Sequence, residues 1–234
     1  MKTITTLTVS ERFLSIQGEG VTTGIPAVFL RLAGCNLLCK SESWICDSIE
    51  VWQKGTKTPF AEVLTNEMIA ALHDGAHLVI TGGEPMLHQP AIIAYLNWLD
   101  AAHGFIPTIE VETNGTIMPS RELFNFVDYW NCSPKLSTSG ESRIRRLNES
   151  VLAAINSQPN AMFKFVITST TDAEEVVRDF GDVVDKSNIV FMPAGCSQEE
   201  LLKTRMNAVQ LSIEYGVRYS DRLHIVIWNL KTGV

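Results

Sequence analysis

Two hydrophobic periods alternate along the chain. Short runs rich in β-branched and aromatic residues at Ala27–Leu32, His77–Thr81, Thr108–Thr113, Ala161–Thr168, Asn188–Met192 and Leu223–Trp228 read as strands. Between many of them apolar residues recur at i, i+3 and i+4, which is the stripe of a helix with one buried face. Thr65–His73, Pro90–Ala102, Glu174–Phe180 and Gln198–Tyr215 carry that pattern, and the first has Thr65 as a cap and Gly75 just past its end. Strands separated by helices predict βα units, hence an α/β fold with a mainly parallel sheet. In such folds ligands sit beyond the carboxyl ends of the strands. The loops at those ends read Gly34-Cys-Asn-Leu-Leu-Cys39, Gly82-Gly-Glu-Pro85, Asn114-Gly-Thr116 and Ser133-Pro-Lys135. The unusual residues therefore fall on the face where a site belongs.

Composition narrows the class. The 234 residues contain no internal repeat, the polar stretch Ser137–Ser142 reads as a loop, and residues 1–234 are expected to form one domain. At 45% hydrophobic and 19% charged the chain supports a substantial core, which excludes disorder. Its apolar runs, such as Ala91–Leu96 and Ile225–Trp228, fall far short of the ~20 residues that span a bilayer. Met1–Ser10 is threonine-rich and lacks the apolar centre of a secretory signal. These readings point to a cytoplasmic protein without a membrane partner. The formal charge is -7, and the one tight basic group is Arg143, Arg145 and Arg146. That group reads as a solvated helix start rather than a phosphate-binding footprint, so direct nucleic-acid binding is not expected.

The cysteines change the picture most. Of five, Cys35, Cys39 and Cys46 crowd into twelve residues. In a reducing compartment such a group points to metal or redox chemistry, not disulfides. Cys132 and Cys196 stand apart and read as ordinary buried cysteines. Tetrahedral zinc would want a fourth Cys or His, and the nearest downstream histidines, His73 and His77, belong to a helix and a strand start. A 4Fe-4S cluster on three thiolates leaves one iron open, as a reductive S-adenosylmethionine (SAM) enzyme requires. Spacing alone favours the cluster over zinc and leaves unrelated cysteines as a third reading. Downstream, Thr81-Gly-Gly-Glu84-Pro85 follows an apolar strand. Its glycines let a ligand approach the backbone, and Glu84 offers a buried acceptor for an ammonium group, which suits the amino-acid end of SAM.

Here the residues resemble a known family. Phe13-Leu-Ser-Ile-Gln-Gly-Glu-Gly20, Gly24-Ile-Pro26, Phe29-Leu-Arg-Leu-Ala-Gly-Cys-Asn-Leu-Leu-Cys39 and Cys46-Asp-Ser48 look like the start of a 7-carboxy-7-deazaguanine synthase. Thr81-Gly-Gly-Glu-Pro85, Glu112-Thr-Asn-Gly115, Ser133-Pro-Lys135, Arg222-Leu-His224 and the ending Trp228…Gly233-Val234 continue the likeness over essentially the whole chain. The resemblance implies a radical SAM enzyme on a shortened, modified (β/α) barrel. It would convert 6-carboxy-5,6,7,8-tetrahydropterin to 7-carboxy-7-deazaguanine with release of ammonia, a step towards 7-deazapurines of the queuosine type.

The resemblance also implies roles. The 4Fe-4S cluster falls to Cys35, Cys39 and Cys46, and a Mg2+ ion to Ser48. SAM falls to Ile45, Cys46, Asp47, Gly82, Gly83, Glu84, Ser133, Pro134 and Lys135, and the pterin to Ile16, Gln17, Gly18, Glu19, Arg31, Thr81, His224 and the terminal carboxylate of Val234. Gln17 and Glu19 would read the pterin's lactam and guanidine-like edge, and Arg31 would clamp its carboxylate with two bonds. An electron donor such as flavodoxin and a homodimeric state are further implications. Two departures stand out. The family usually places two residues between its second and third cysteines, whereas six separate Cys39 from Cys46. The longer loop costs only about 0.7 kcal/mol of closure entropy. Serine also stands at position 48 where threonine is usual, keeping the hard oxygen that Mg2+ prefers. Phe191-Met192-Pro193, in the segment to Gly195, matches a SAM-contacting stretch only loosely, because Met192 lacks the polar side chain common there. The rival readings are another small radical SAM enzyme, such as a glycyl-radical activase, and a non-catalytic metal-binding protein.

Overall fold

The computed structural model describes residues 3–41, 46, 48–231 and 233. Strand β1 (Thr6–Ile16) runs antiparallel to β2 (Pro26–Leu32) and, on its other side, to β3 (Thr56–Pro59). From β2 onward every pairing is parallel, through β4 (His77–Gly82), β5 (Ile109–Thr113), β6 (Tyr129–Cys132), β7 (Ala161–Ile167), β8 (Ile189–Pro193) and β9 (Arg218–Tyr219). Among the described residues this makes one nine-stranded sheet in the order β3-β1-β2-β4-β5-β6-β7-β8-β9. Its two ends do not pair, so the barrel is partial.

Local chemistry sets the helix ends. Thr65 caps Asn66–His73 by accepting from the Met68 amide at 3.3 Å. Ser169 and Asp172 form a reciprocal capping box at the start of Thr170–Phe180. Gln89–His103 and Gln198–Tyr215 end at Gly104 and Gly216, whose φ values of 76° and 63° are left-handed and fall naturally to glycine.

The two faces of the sheet differ sharply. Val28, Leu30, Leu32, Leu78, Ile80, Val111, Trp130, Phe163 and Phe165 join Tyr95, Leu96, Leu99 and Phe180 of the helices in one continuous core. The alternate residues point to the other, concave face. There β4 carries His77 and Thr81, β5 carries Glu110 and Glu112, β6 carries Asn131 and β7 carries Lys164, all between residues of the outer core. Parallel strands buried on both sides read as unbroken apolar runs. The polar alternation in β5 and β7 marks a face with another task.

Four expectations need correction. Leu223–Trp228 is a helix, not a strand. Short apolar runs do not distinguish the two, and β9 takes the last parallel place, leaving Val226 and Ile227 half out in solvent. Strands β1, β3, β6 and β9 were not anticipated, because their mixed polar and apolar residues dilute the period. Cys196 is exposed rather than buried, since it lies in the turn before Gln198–Tyr215. Of the three arginines, Arg143 and Arg145 are exposed, but Arg146 is buried between Glu175 at 2.8 Å and Asp179 at 3.3 Å. Cys132 is buried as read.

Candidate active site at the carboxyl ends of the strands

The loops after β2, β4, β5 and β6 interlock. The Glu84 amide donates to the Gly34 carbonyl at 2.9 Å, bringing the Gly-Gly-Glu-Pro turn against the start of the cysteine loop. The approach requires glycine: a Cβ on Gly83 would lie 2.4 Å from the Gly34 oxygen and 2.6 Å from Cys35 Cβ. Glu84 is fully buried, and its carboxylate accepts from Met86 N at 3.0 Å, Thr113 Oγ1 at 2.7 Å and Asn114 N at 2.7 Å. Burial pushes its carboxyl up while those donors oppose the shift. Glu84 therefore ties the loops together, and little of it faces outward. Asn114 Nδ2 in turn donates to Asn36 Oδ1 at 2.9 Å, and the Ser133 amide to the Thr113 carbonyl at 2.7 Å.

The three thiols share this rim. The Cys46 amide donates to the Cys39 carbonyl at 3.1 Å, so the second and third cysteines are held together although six residues separate them. Burial pushes the Cys39 thiol up to about 11, and the charges of Cys46 and Cys35 add to that shift while Lys135 opposes it. Burial likewise raises Cys35, with Cys46 again contributing. The sulfurs thus lie within electrostatic reach of one another and of the Lys135 cation, which offsets the effect of burial only in part. Among the described residues, no three Cys, His, Asp or Glu groups converge tightly enough for a single metal ion. Ser48 Oγ stands 3.4 Å from Cys46 Sγ, and Lys135 Nζ donates to Ser133 Oγ at 3.1 Å.

The concave face below the rim carries a buried charge network. Lys164 is 1% exposed and donates to Glu112 Oε2 at 2.7 Å and Glu19 Oε2 at 2.9 Å. Arg222 Nε donates to Glu19 Oε1 at 3.0 Å. Burial alone would raise the Glu19 carboxyl, but Lys164, Arg222 and His224 outweigh it and hold it well below the carboxylate range. Glu112 goes the other way: burial raises it, Glu19 adds to the rise, and Lys164 compensates only in part. Burial opposes the charge on Lys164, yet Glu112 and Glu19 raise its pKa above the ordinary value and keep it protonated.

Gln17 is buried beside this network, with Nε2 donating to Glu110 Oε2 at 3.0 Å and Oε1 accepting from the Gly18 and Glu19 amides. Glu110 Oε2 also accepts from Thr22 and Asn131, and Oε1 stands 2.5 Å from His77 Nδ1. Both ends of Gln17 are thus engaged within the protein, holding the Gly18–Gly20 turn.

Many of the expected pterin residues meet, although some lie two hundred positions apart. A Cβ on Gly18 would sit 2.2 Å from His224 Nδ1, and the Leu223 amide donates to the Gly18 carbonyl at 2.9 Å. Arg31 and Thr81 are register partners on β2 and β4. Arg31 Nε pairs with Glu11 Oε1 at 2.7 Å and Nη1 donates to the Gly82 carbonyl at 3.3 Å, which holds the guanidinium at two of its nitrogens. Gly82 and Pro134 lie in the rim turns, and Ile16 ends β1 opposite Pro26. Ile45, Asp47 and Val234 lie outside the described residues. Met192 is buried in a small apolar group with Met162 and Val190.

Sequence reasoning missed Lys164, Glu110, Asn131 and the pairing role of Arg222, and quoted Glu112 without a task. The signal was legible: Phe163-Lys-Phe165 and Ile109-Glu-Val-Glu-Thr113 place charges at every second position of otherwise buried strands.

A partial parallel barrel with three thiols and a glycine turn on its carboxyl rim defines an iron–sulfur enzyme of the radical SAM class. A family described as a 4Fe-4S single cluster domain matches residues 16–148. A 7-carboxy-7-deazaguanine synthase of Halobacterium salinarum is 35% identical over 246 residues, covering 95% of this chain and 91% of the relative. One of Pyrobaculum aerophilum is 34% identical and covers 96% of each. The crystal structure of QueE from Escherichia coli shares the fold, with a TM-score of 0.67 at 22% identity over 94% of this chain and 95% of that one. The chain belongs to the 7-carboxy-7-deazaguanine synthase family.

Proposed function

We propose that the protein converts 6-carboxy-5,6,7,8-tetrahydropterin to 7-carboxy-7-deazaguanine and ammonia. The single observation that carries the reading is the lining of the concave face, where Lys164, Glu19, Glu112 and Arg222 lie beneath the thiol rim. Such a lining suits a small polar heterocycle better than the protein substrate of a glycyl-radical activase. Overall the change is loss of one ammonia, with no net oxidation or reduction.

When bound, a reduced 4Fe-4S cluster supplies the electron that cleaves SAM. The chain's own residues bind and orient. Cys35, Cys39 and Cys46 are the candidate cluster ligands. Backbone at Gly82 and Gly83, with Ser133, Pro134 and Lys135, is the candidate cradle for SAM, because the glycine turn packs directly against the cysteine loop that would hold the cluster. Arg31 is held at Nε by Glu11 and at one Nη1 hydrogen by the Gly82 carbonyl, leaving Nη2 and the second Nη1 hydrogen to meet the substrate carboxylate. With Glu19 held by two cations, Glu112 is the carboxylate with capacity to spare for the pterin's N–H groups: among the described residues its Oε1 accepts from Gln17 alone, at 3.4 Å.

Ser48 is the candidate Mg2+ ligand, and a homodimer, a cytoplasmic setting and a flavodoxin-like electron donor complete the proposal. No helix among the described residues is long and apolar enough to cross a membrane. The test is anaerobic turnover of the carboxytetrahydropterin with reconstituted protein, SAM and dithionite, followed by mass spectrometry. A product lighter by one ammonia is expected; SAM cleavage without that product would refute the assignment.

A further inference from the structure

Strand β1 changes face partway along its length. Leu7 and Val9 point into the outer core, and a regular ladder would send every later odd position the same way. Yet Glu11 pairs with Arg31 on the concave face, and Phe13 stacks on Phe29 there with ring centroids 5.0 Å apart. The reversal has one cause. Val9 stands opposite Leu32 and Glu11 opposite Arg31, so two steps on β1 answer one step on β2. Ser10 is the extra residue of this bulge, and its Oγ donates to the Lys54 carbonyl at 2.7 Å. On the other side, β3 keeps pace with β1 only as far as Val9.

A one-residue shift of register moves every later side chain to the opposite face. Without it Ser10 would stand opposite Arg31, and Glu11 would share the core face with Leu30, where an unpaired carboxylate is costly to bury. With it, Arg31 gains an acceptor from each neighbouring strand: Glu11 Oε1 at 2.7 Å from β1 and the Gly82 carbonyl at 3.3 Å from β4. Bulges beside active sites commonly re-aim a side chain in this way. The Glu11 and Arg31 side chains are 26% and 19% exposed, so the pair borders the concave face without being sealed into the sheet. A free arginine side chain samples many rotamers, and two acceptors in fixed places leave it few. The Glu11 carboxylate also offsets the charge of Arg31. An anion arriving there is selected by the direction of the remaining N–H groups more than by net charge.

We infer that Glu11, turned onto the concave face by the bulge at Ser10, is a positioning residue that presets Arg31 for a planar carboxylate, and so sets the preference of the site for a carboxylated over an unsubstituted pterin. The inference rests on the function proposed above. Glu11 acts through Arg31 rather than on the pterin. A cross-strand ion pair can also serve only to hold β1 on β2, and the two roles give different results.

The experiment measures binding of 6-carboxypterin and of unsubstituted pterin to cluster-loaded protein with SAM, anaerobically and without reductant, through the fluorescence of the pterin ring. The parent should prefer the carboxylated compound. Glu11→Ala should weaken 6-carboxypterin about tenfold and pterin less than about twofold, because the released guanidinium must be ordered at each binding event. Glu11→Gln keeps an oxygen for the Arg31 Nε–H and should recover most of the loss. In an Arg31→Lys background, adding Glu11→Ala should change 6-carboxypterin binding less than about twofold, since effects that run through one residue do not add. Iron content should match the parent throughout. A parent that binds both pterins alike would sink the functional reading, and the role of Glu11 with it. If the parent discriminates but Glu11→Ala binds both pterins as the parent does, or weakens both equally, Glu11 is only a strand tie and the inference falls alone. An undiminished loss in the Arg31→Lys background would overturn it too, by showing that Glu11 acts independently. So would a Glu11→Gln variant as weak as Glu11→Ala, by making charge rather than position the cause.

Discussion

Replacing Lys164 by methionine tests the charge network directly. The side chain is 1% exposed and is shared by Glu112 and Glu19 at 2.7 and 2.9 Å. Methionine keeps most of the volume and removes the charge. Glu19 retains Arg222, but Glu112 loses its cation and faces the Glu19 carboxylate alone. Taking one partner from a buried pair costs ~3–5 kcal/mol, a large share of the ~5–15 kcal/mol that holds a typical protein folded. At ~2–4 °C per kcal/mol for a chain of this size, the variant should melt ~6–20 °C below the parent near pH 7.5.

The pH dependence separates lost charge compensation from lost packing. A carboxyl whose folded pKa is raised binds more protons folded than unfolded between its two values, so stability rises as pH falls through that window. Burial already raises Glu112 in the parent against the opposing Lys164, and without Lys164 it rises further. Glu19 is depressed, so its contribution is present above the ordinary carboxyl value of ~4.3 and is lost only below it. Lys164 is raised, so its own contribution is complete below ~10.4 and flat across this range. The gap between parent and variant should therefore narrow from pH 8 to pH 5.5, and Glu112→Gln added to Lys164→Met should recover part of it. Anaerobic thermal melts followed by circular dichroism, with iron content measured on each sample, read the effect. A gap that is equal at both pH values, or absent, would refute Lys164 as the compensating charge.

Cys35→Ala, Cys39→Ala and Cys46→Ala should each abolish iron loading in anaerobic reconstitution, whereas Cys132→Ala should load like the parent; a full cluster in Cys46→Ala would show that the wide spacing hides another ligand. Arg31→Lys should raise the apparent KM for the carboxypterin at least tenfold, because a point charge cannot hold Glu11, the Gly82 carbonyl and a carboxylate together. Substrate-independent SAM cleavage should survive that change, and an unchanged KM would remove Arg31 from the site. Ser48→Ala should blunt the response of turnover to added Mg2+ without lowering iron content, and Ser48→Thr should keep it; the same Mg2+ titration in Ser48→Ala and parent would exclude Ser48 as the ligand.

The residues at chain-local features were the most legible. The apolar β-branched run His77–Gly82 lies between Gly75 and Gly83 and forms a parallel strand as its pattern predicts, and three cysteines close in sequence stay close in space. The glycine turn was visible too, although the collision that makes Gly83 obligatory is with Gly34 and Cys35, about fifty positions earlier. Leu223–Trp228 was misread because its pattern fits strand and helix equally, and only the seat taken by β9 decides between them. The protein partners of Gln17 and Glu84 were equally illegible, because a polar residue in a loop says nothing about which protein groups will reach it.

By itself, then, the sequence determined the βα alternation, the thiol group and the rim on which the loops gather, since each depends on spacing within one segment. Tertiary structure alone decided the charge network of the concave face. Glu19, Glu112, Lys164 and Arg222 come from a loop, two strands and a helix start, and their protonation is set by mutual distance and burial. Coulomb energy depends on separation in space and on excluded water, and neither quantity is written in the order of residues along a chain.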